Sequence, residues 1–195
     1  MSLLTIATFF FFNMGDGIMN TIMPTLVVKQ LGWLDTEYSQ FIGMSQLISG
    51  CLGMILGTIV TDKIGHIRSI FIMMLLVVLM TLFMTFISQW WYQREVIMTF
   101  VILRDILITT INIIFFAVSM QLSWKKIAAT QFAFYMSLAN FSDTSGAALV
   151  KALNTLFPFT GFFYLIVFLS CIALILLLFI NLNVHSLHLK KLNEK

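Results

Sequence analysis

Six runs of about twenty apolar residues, separated by short polar loops, leave this chain few ways to fold. The runs cover about 3–28, 38–61, 69–87, 96–121, 127–150 and 157–180. A helix rises ~1.5 Å per residue, so ~20 apolar residues cross the hydrocarbon core of a bilayer. Backbone polar groups find no water there, and a run of this length satisfies them internally only as a helix. Charged residues make up 10% of the 195, against ~25% in a soluble domain. The chain therefore reads as an all-α membrane protein. It has one transmembrane domain of six helices over residues 1–182 and a cytoplasmic tail over 183–195. No basic stretch precedes the first run, so no cleavable signal is expected. Cys51 and Cys171 fall in apolar runs and read as packing residues.

Orientation follows from Lys and Arg placement. With the N-terminus inside, seven basic residues are cytoplasmic: Lys63, Arg68, Lys125, Lys126, Lys190, Lys191 and Lys195. Only Lys29, Arg94 and Lys151 lie in outer loops, while Arg104 lies within the fourth run. Cytoplasmic loops carry the excess of basic residues, so both termini are expected inside. Trp90, Trp91 and Tyr92 then sit at the outer interface, where amphipathic rings anchor well. The net charge of +3 is no nucleic-acid signal.

Polar residues inside the runs mark the functional candidates. Asp16 is the sole charge in the first run before Lys29 and is flanked by Gly15 and Gly17. A carboxylate at that depth normally faces a bundle interior or a wet cavity. The two glycines predict a broken helix, and Pro24 a kink two turns on. Asn13, Asp16, Asn20 and Pro24 recur every three or four residues and share one face. A broken helix with a polar stripe is a common device of transport sites.

The second run carries Gly43, Gln46, Gly50, Gly53 and Gly57 at spacings of three and four, one small-residue face suited to close helix contact. The fourth has Asp105, Thr109, Asn112 and Ser119 on one side, with Arg104 next door. The fifth has Thr130, Ser137, Asn140 and Asp143 or Thr144 on one side. The third and sixth have almost no polar residues and read as lipid-facing scaffold around a polar space lined by the other four. Two three-helix units, each opening on a polar helix, point to an internal repeat. Arg104 and Asp143 lie roughly 12 Å and 10 Å from the outer surface at ~1.5 Å per residue. That match predicts an ion pair, since charges at depth tend to pair. Asp105 is disfavoured as the partner, because adjacent helix residues point about 100° apart.

The loop between the second and third runs reads Asp62-Lys63-Ile64-Gly65-His66-Ile67-Arg68. An acid, a glycine turn and basic residues behind it form a charge cluster able to hold two helices in one state and release them in another. This loop resembles the signature loop of the major facilitator superfamily. Phe11-Phe12-Asn13-Met14-Gly15-Asp16-Gly17, continuing to Pro24-Thr25-Leu26 and Leu31-Gly32, resembles the start of the second half of AmpG-type muropeptide permeases. Ala129-Thr130-Gln131-Phe132-Ala133, with Ser137-Leu138, Gly146 and Phe163-Tyr164, resembles the tenth-to-twelfth-helix region of the same family. These permeases belong to the peptide, acetyl-CoA and drug transporter branch.

The resemblance implies proton-driven import of anhydro-muropeptides across a bacterial inner membrane. It also implies that this chain is the C-terminal six-helix half, whose partner is an N-terminal half. The chain departs from the family pattern at Asn13, where a lysine is usual. It departs at Arg104, where an acid is usual, and at Asp143, where an arginine is usual. On this reading Asp16, Asn13, Asn20, Gln46, Arg104, Asp105, Asn112, Gln131, Asn140 and Asp143 line the path of solute and proton. Asp62, Lys63, Gly65 and Arg68 form the gating loop. Alone, six helices are expected to transport nothing, because the site lies between halves.

Other classes fare worse. A non-transporting remnant or assembly partner of a split transporter would carry the same helices. Gly15-Asp16 with a second acid at Asp105 or Asp143 evokes an intramembrane aspartyl protease, but Asn13 replaces that motif's leading glycine. No enzyme is expected. His185 and His188 lie in the tail without cysteine or acid partners, so no metal site or cofactor is expected.

Overall fold

The computed structural model describes residues 2–124 and 127–180. It is all-helical: α1 (Ser2–Thr25), α2 (Asp35–Ile64), α3 (His66–Phe86), α4 (Arg94–Leu122), α5 (Ala128–Leu153) and α6 (Phe159–Leu178). Four of them, α2, α3, α4 and α6, are long and apolar enough to cross a membrane. The other two, α1 and α5, carry the polar residues that lower their hydropathy. The expected tail, with His185, His188, Lys190, Lys191 and Lys195, lies outside the described residues, as do Lys125 and Lys126.

The break expected at Gly15-Asp16-Gly17 does not occur, and α1 runs through it. The irregularity comes later. Pro24 has no N–H to donate and crowds the preceding turn. The chain widens into a π-turn over Leu26–Gln30, closed by the Leu31 N–H on the Leu26 carbonyl at 3.1 Å. Gly65, at φ 82°, makes the one-residue turn from α2 to α3, a left-handed backbone that favours glycine.

The packing has an internal symmetry. α1 lies against α5 and α6, α4 lies against α2 and α3, and α3 meets α6. Exchanging α1–α3 with α4–α6 leaves this pattern unchanged. Glycines set two of the crossings. A Cβ at Gly17 would strike the Asp143 backbone, and one at Gly146 would strike the Met14 carbonyl, so α1 and α5 touch main chain to main chain. Gly53 meets Thr109 and the Ile106 carbonyl, so α2 and α4 cross as closely. Small residues at helix crossings permit such van der Waals contact in lipid.

The small-residue face expected on the second run splits in two. Ser45, Ser49, Gly53 and Gly57, spaced by four, are the buried stripe, whereas nothing lies within 4 Å of a Cβ at Gly43 or Gly50. α3 and α6 are also more than scaffold. Each buries a full apolar face, including Met74 and Val77 on α3 and Phe163 and Ala173 on α6. Lipid and protein core are equally apolar, so hydropathy does not separate the two surroundings.

Two apolar clusters fill the bundle. One joins Phe9, Phe12, Ile70, Met74, Ile111, Phe115 and Leu177. The other joins Ile18, Ile22, Leu26, Trp91, Ile97, Phe163 and Ile166. Trp91 belongs to this second cluster rather than to an interfacial belt. Its Nε1 donates to the Met84 carbonyl at 2.9 Å, while Trp90 and Tyr92 are exposed. On α1 the clusters break between Phe12 and Ile18, and on α4 between Val101 and Ile108. Asp16, Arg104 and Asp105 occupy those breaks.

Candidate functional site

Arg104 stands at the centre of that polar layer, only 6% exposed. Its Nη2 donates to Asp16 Oδ1, which ties α4 to α1. Its Nη1 lies 3.7 Å from Asp105 Oδ1. The other Asp105 oxygen accepts the Ser45 hydroxyl of α2 at 2.8 Å. The second Asp16 oxygen accepts the Asn20 amide at 3.3 Å, and Asn20 lies beside Asp143 of α5. Four helices thus meet in one polar layer, in which hydrogen bonds and ion pairs run from Ser45 through Asp105, Arg104 and Asp16 to Asn20, with Asp143 beside it.

The partner of Arg104 is Asp16, not Asp143. Depth along α4 and α5 matched, but depth says nothing of direction around the bundle. α5 packs on α1 at Gly17, so Asp143 lies beside Asn20 and makes no ion pair with the guanidinium among the described residues. Asp105 is an ion partner too, because the arginine side chain is long enough to fold back on its neighbour.

The remaining candidates divide by location. Gln46 and Asn20 line a cavity of about 180 Å³ between α1, α2 and α4, together with Tyr38, Pro24, Arg104 and Asp105. Asn13 turns its amide onto the Phe9 carbonyl of its own helix at 2.8 Å. Asn112 is half-buried two turns further along α4, and Asn140 is exposed on α5. Gln131 is not brought to the cluster. Its Oε1 accepts the Trp124 backbone N–H at 2.6 Å and fastens the loop that leads into α5.

The gating-loop residues form no closed charge cluster. Asp62, Lys63 and Arg68 are exposed, and among the described residues none of the three makes an ion pair. His66 instead meets Gln121 of α4 at 3.3 Å. At the opposite end of the bundle Arg94 bonds Glu37 at 2.5 Å and covers the Trp33 ring at 4.9 Å. Ser45 and Tyr38 were not among the sequence candidates. The four-residue spacing of Ser45, Ser49, Gly53 and Gly57 is the signal that finds Ser45.

No family model, curated protein or solved structure matches this chain. What the cluster can do follows from its composition. It holds three carboxylates, Asp16, Asp105 and Asp143, around one guanidinium. Fully ionised it has an excess of negative charge, inside a layer bounded by apolar clusters. Ionisable groups in such a layer face a bundle interior or a wet cavity and pair with one another.

Replacing Ser45 by alanine removes the hydroxyl that, among the described residues, bonds Asp105. The loss of this cross-helix bond should lower stability by about 1 kcal/mol. The check is the midpoint of unfolding in mixed detergent micelles, with Ser49→Ala as the control. The Ser49 hydroxyl bonds only the Gln46 carbonyl of its own helix, and its loss should move the midpoint less.

Proposed function

We propose that this chain is one wall of a secondary transporter, and that the Arg104 cluster is where solute movement is coupled to a proton. The observation that carries the reading is the buried Arg104–Asp16 pair between two apolar clusters, with a cavity alongside it. Intramembrane ionisable residues of this kind line proton and substrate paths. The exchange symmetry of α1–α3 with α4–α6 supports the same reading, because transporter folds are built from repeated helix units with sites at the repeat interface. Together with the AmpG-like stretches around Asp16 and Gln131, it favours a six-helix half of the major facilitator superfamily. All six helices then span a bacterial inner membrane, with both termini cytoplasmic and an anhydro-muropeptide as solute.

Size argues that the wall works with a second unit. A drug-sized ligand fills ~300–1,000 Å³, and the cavity here is about 180 Å³. A sugar-peptide needs a facing six-helix half to enclose it.

Uptake of labelled anhydro-muropeptide tests the reading in bacteria that lack their own permease. The cells express this chain alone or with the N-terminal half of such a permease. Accumulation is expected in at least one arm, and Asp16→Asn should abolish it with the same amount of chain in the membrane. No accumulation in either arm would overturn the solute assignment. Accumulation undiminished by Asp16→Asn would remove Asp16 from the coupling step.

A further inference from the structure

We propose that the groove between α3 and α4 holds one phospholipid whose headgroup ends in a primary ammonium, with Glu95 as the headgroup's ligand. The inference is independent of the transport reading, because it rests on a surface away from the Arg104 cluster.

The groove is a cavity of about 500 Å³. That lies within the ~300–1,000 Å³ of sites that take small molecules. Met80 and Met84 of α3 form one wall, and Phe100 and Leu103 of α4 the other. Both helices are long and apolar enough to cross a membrane. An apolar hollow of this kind stays dry, and its walls lose van der Waals contacts wherever nothing sits against them. In a bilayer the group at hand to fill it is an acyl chain. A sugar-peptide would bring polar groups that these walls cannot bond.

Two polar side chains line the cavity, Glu95 and Thr99, and they fix which lipid fits. They stand four residues apart on α4, so they share a face about 6 Å apart along the axis. Glu95 lies in the first turn of α4. Trp90 and Tyr92, just before it, are exposed, as amphipathic rings are at the level of lipid headgroups. Glu95 therefore stands at headgroup depth, and Thr99 one turn deeper, where the glycerol esters begin. Leu103 lies a further ~6 Å in, among the acyl chains.

Neither polar side chain is engaged within the protein. Among the described residues Glu95 makes no ion pair, and its neighbour Arg94 is taken by Glu37. Thr81 and Thr85 of α3 turn their hydroxyls onto carbonyls of their own helix at 2.8 Å. The Thr99 hydroxyl makes no hydrogen bond among the described residues. A carboxylate with no cation beside it attracts a cationic headgroup and disfavours one of net negative charge. A primary ammonium also donates hydrogen bonds to the carboxylate, which a quaternary ammonium cannot. The Thr99 hydroxyl donates to an ester carbonyl of the same lipid. Ammonium, ester and acyl chain thus meet Glu95, Thr99 and the apolar walls in the order in which they follow one another along the lipid.

Native mass spectrometry of the full chain in detergent micelles tests this. Phosphatidylethanolamine, phosphatidylcholine and phosphatidylglycerol with identical acyl chains are added in equal amounts. One lipid per chain should stay bound. Phosphatidylethanolamine should lead both others by roughly two- to fivefold, the worth of an exposed ion pair. Glu95→Gln should level the three. Asp35→Asn, at an exposed acid on the same end of the bundle, should leave the preference as it was. Leu103→Trp fills the cavity and should lower retention of all three lipids. Equal occupancy by the three lipids on the unaltered chain would overturn the proposal, as would a preference that survives Glu95→Gln. Retention undiminished by Leu103→Trp would overturn the cavity as the seat of the acyl chain. Should Leu103→Trp lower the amount of folded protein, the headgroup comparison with Glu95→Gln, at an exposed position, decides alone.

Discussion

Leucine at Gly146 or Gly17 should remove most folded protein from the membrane. A Cβ at either glycine falls on main-chain atoms of the facing helix, the Met14 carbonyl or the Asp143 backbone. Main chain does not rotate aside as a side chain does, so α1 and α5 must part along their whole crossing. Overpacking in a yielding core costs about 1–3 kcal/mol and sometimes more. At this unyielding contact the cost should lie at or beyond the top of that range, a large share of the ~5–15 kcal/mol by which proteins are stable. Gly50→Ala is the contrast. Nothing lies within 4 Å of a Cβ there, and the gain in helix propensity of up to ~1 kcal/mol should leave the chain as stable or more so. Folded protein per cell and the detergent unfolding midpoint read both.

Replacing Arg104 by methionine should be nearly as damaging. The side chain keeps its length and apolar stem but leaves Asp16 and Asp105 without the cation they share. Breaking a buried pair by removing one member costs about 3–5 kcal/mol. Asp16→Asn should be far milder. Arg104 keeps Asp105 at 3.7 Å, and an asparagine still accepts a hydrogen bond from the guanidinium. This asymmetry is why the asparagine variant suits the uptake assay and the methionine variant does not. The unfolding midpoint should drop strongly for Arg104→Met and slightly for Asp16→Asn. Equal drops would mean that Asp105 does not share the cation.

The helices were legible in the sequence because length and hydropathy alone decide them. The six apolar runs are the six helices, with ends displaced by a few residues where the loops are polar but still hydrogen-bonded, as at Asp35–Glu37 and at the Leu26–Gln30 π-turn. That Asp16 is buried in polar company was also legible, because an acid in an apolar run has few other options.

Direction around the bundle was not legible. Arg104 and Asp143 share a depth, but α1 stands next to α4 with Asp16 at the same level, and no periodicity within α4 or α5 reveals that neighbour. The glycines around Asp16 read as helix breakers, but what Gly17 does is between helices: it makes room for the backbone of α5. The burial of α3 and α6 was hidden for a different reason. Their outer faces meet lipid and their inner faces meet protein, and both surroundings select the same residues.

The pairing of Asp16 with Arg104 is the joint on which both the fold and the transport reading turn, and charge-swap cycles test it most directly. The single variants Asp16→Arg, Asp143→Arg and Arg104→Asp each place like charges together and should deplete folded protein. Combining Arg104→Asp with Asp16→Arg should recover it well beyond either single variant. Combining Arg104→Asp with Asp143→Arg should not. Recovery through Asp143 and none through Asp16 would contradict the account.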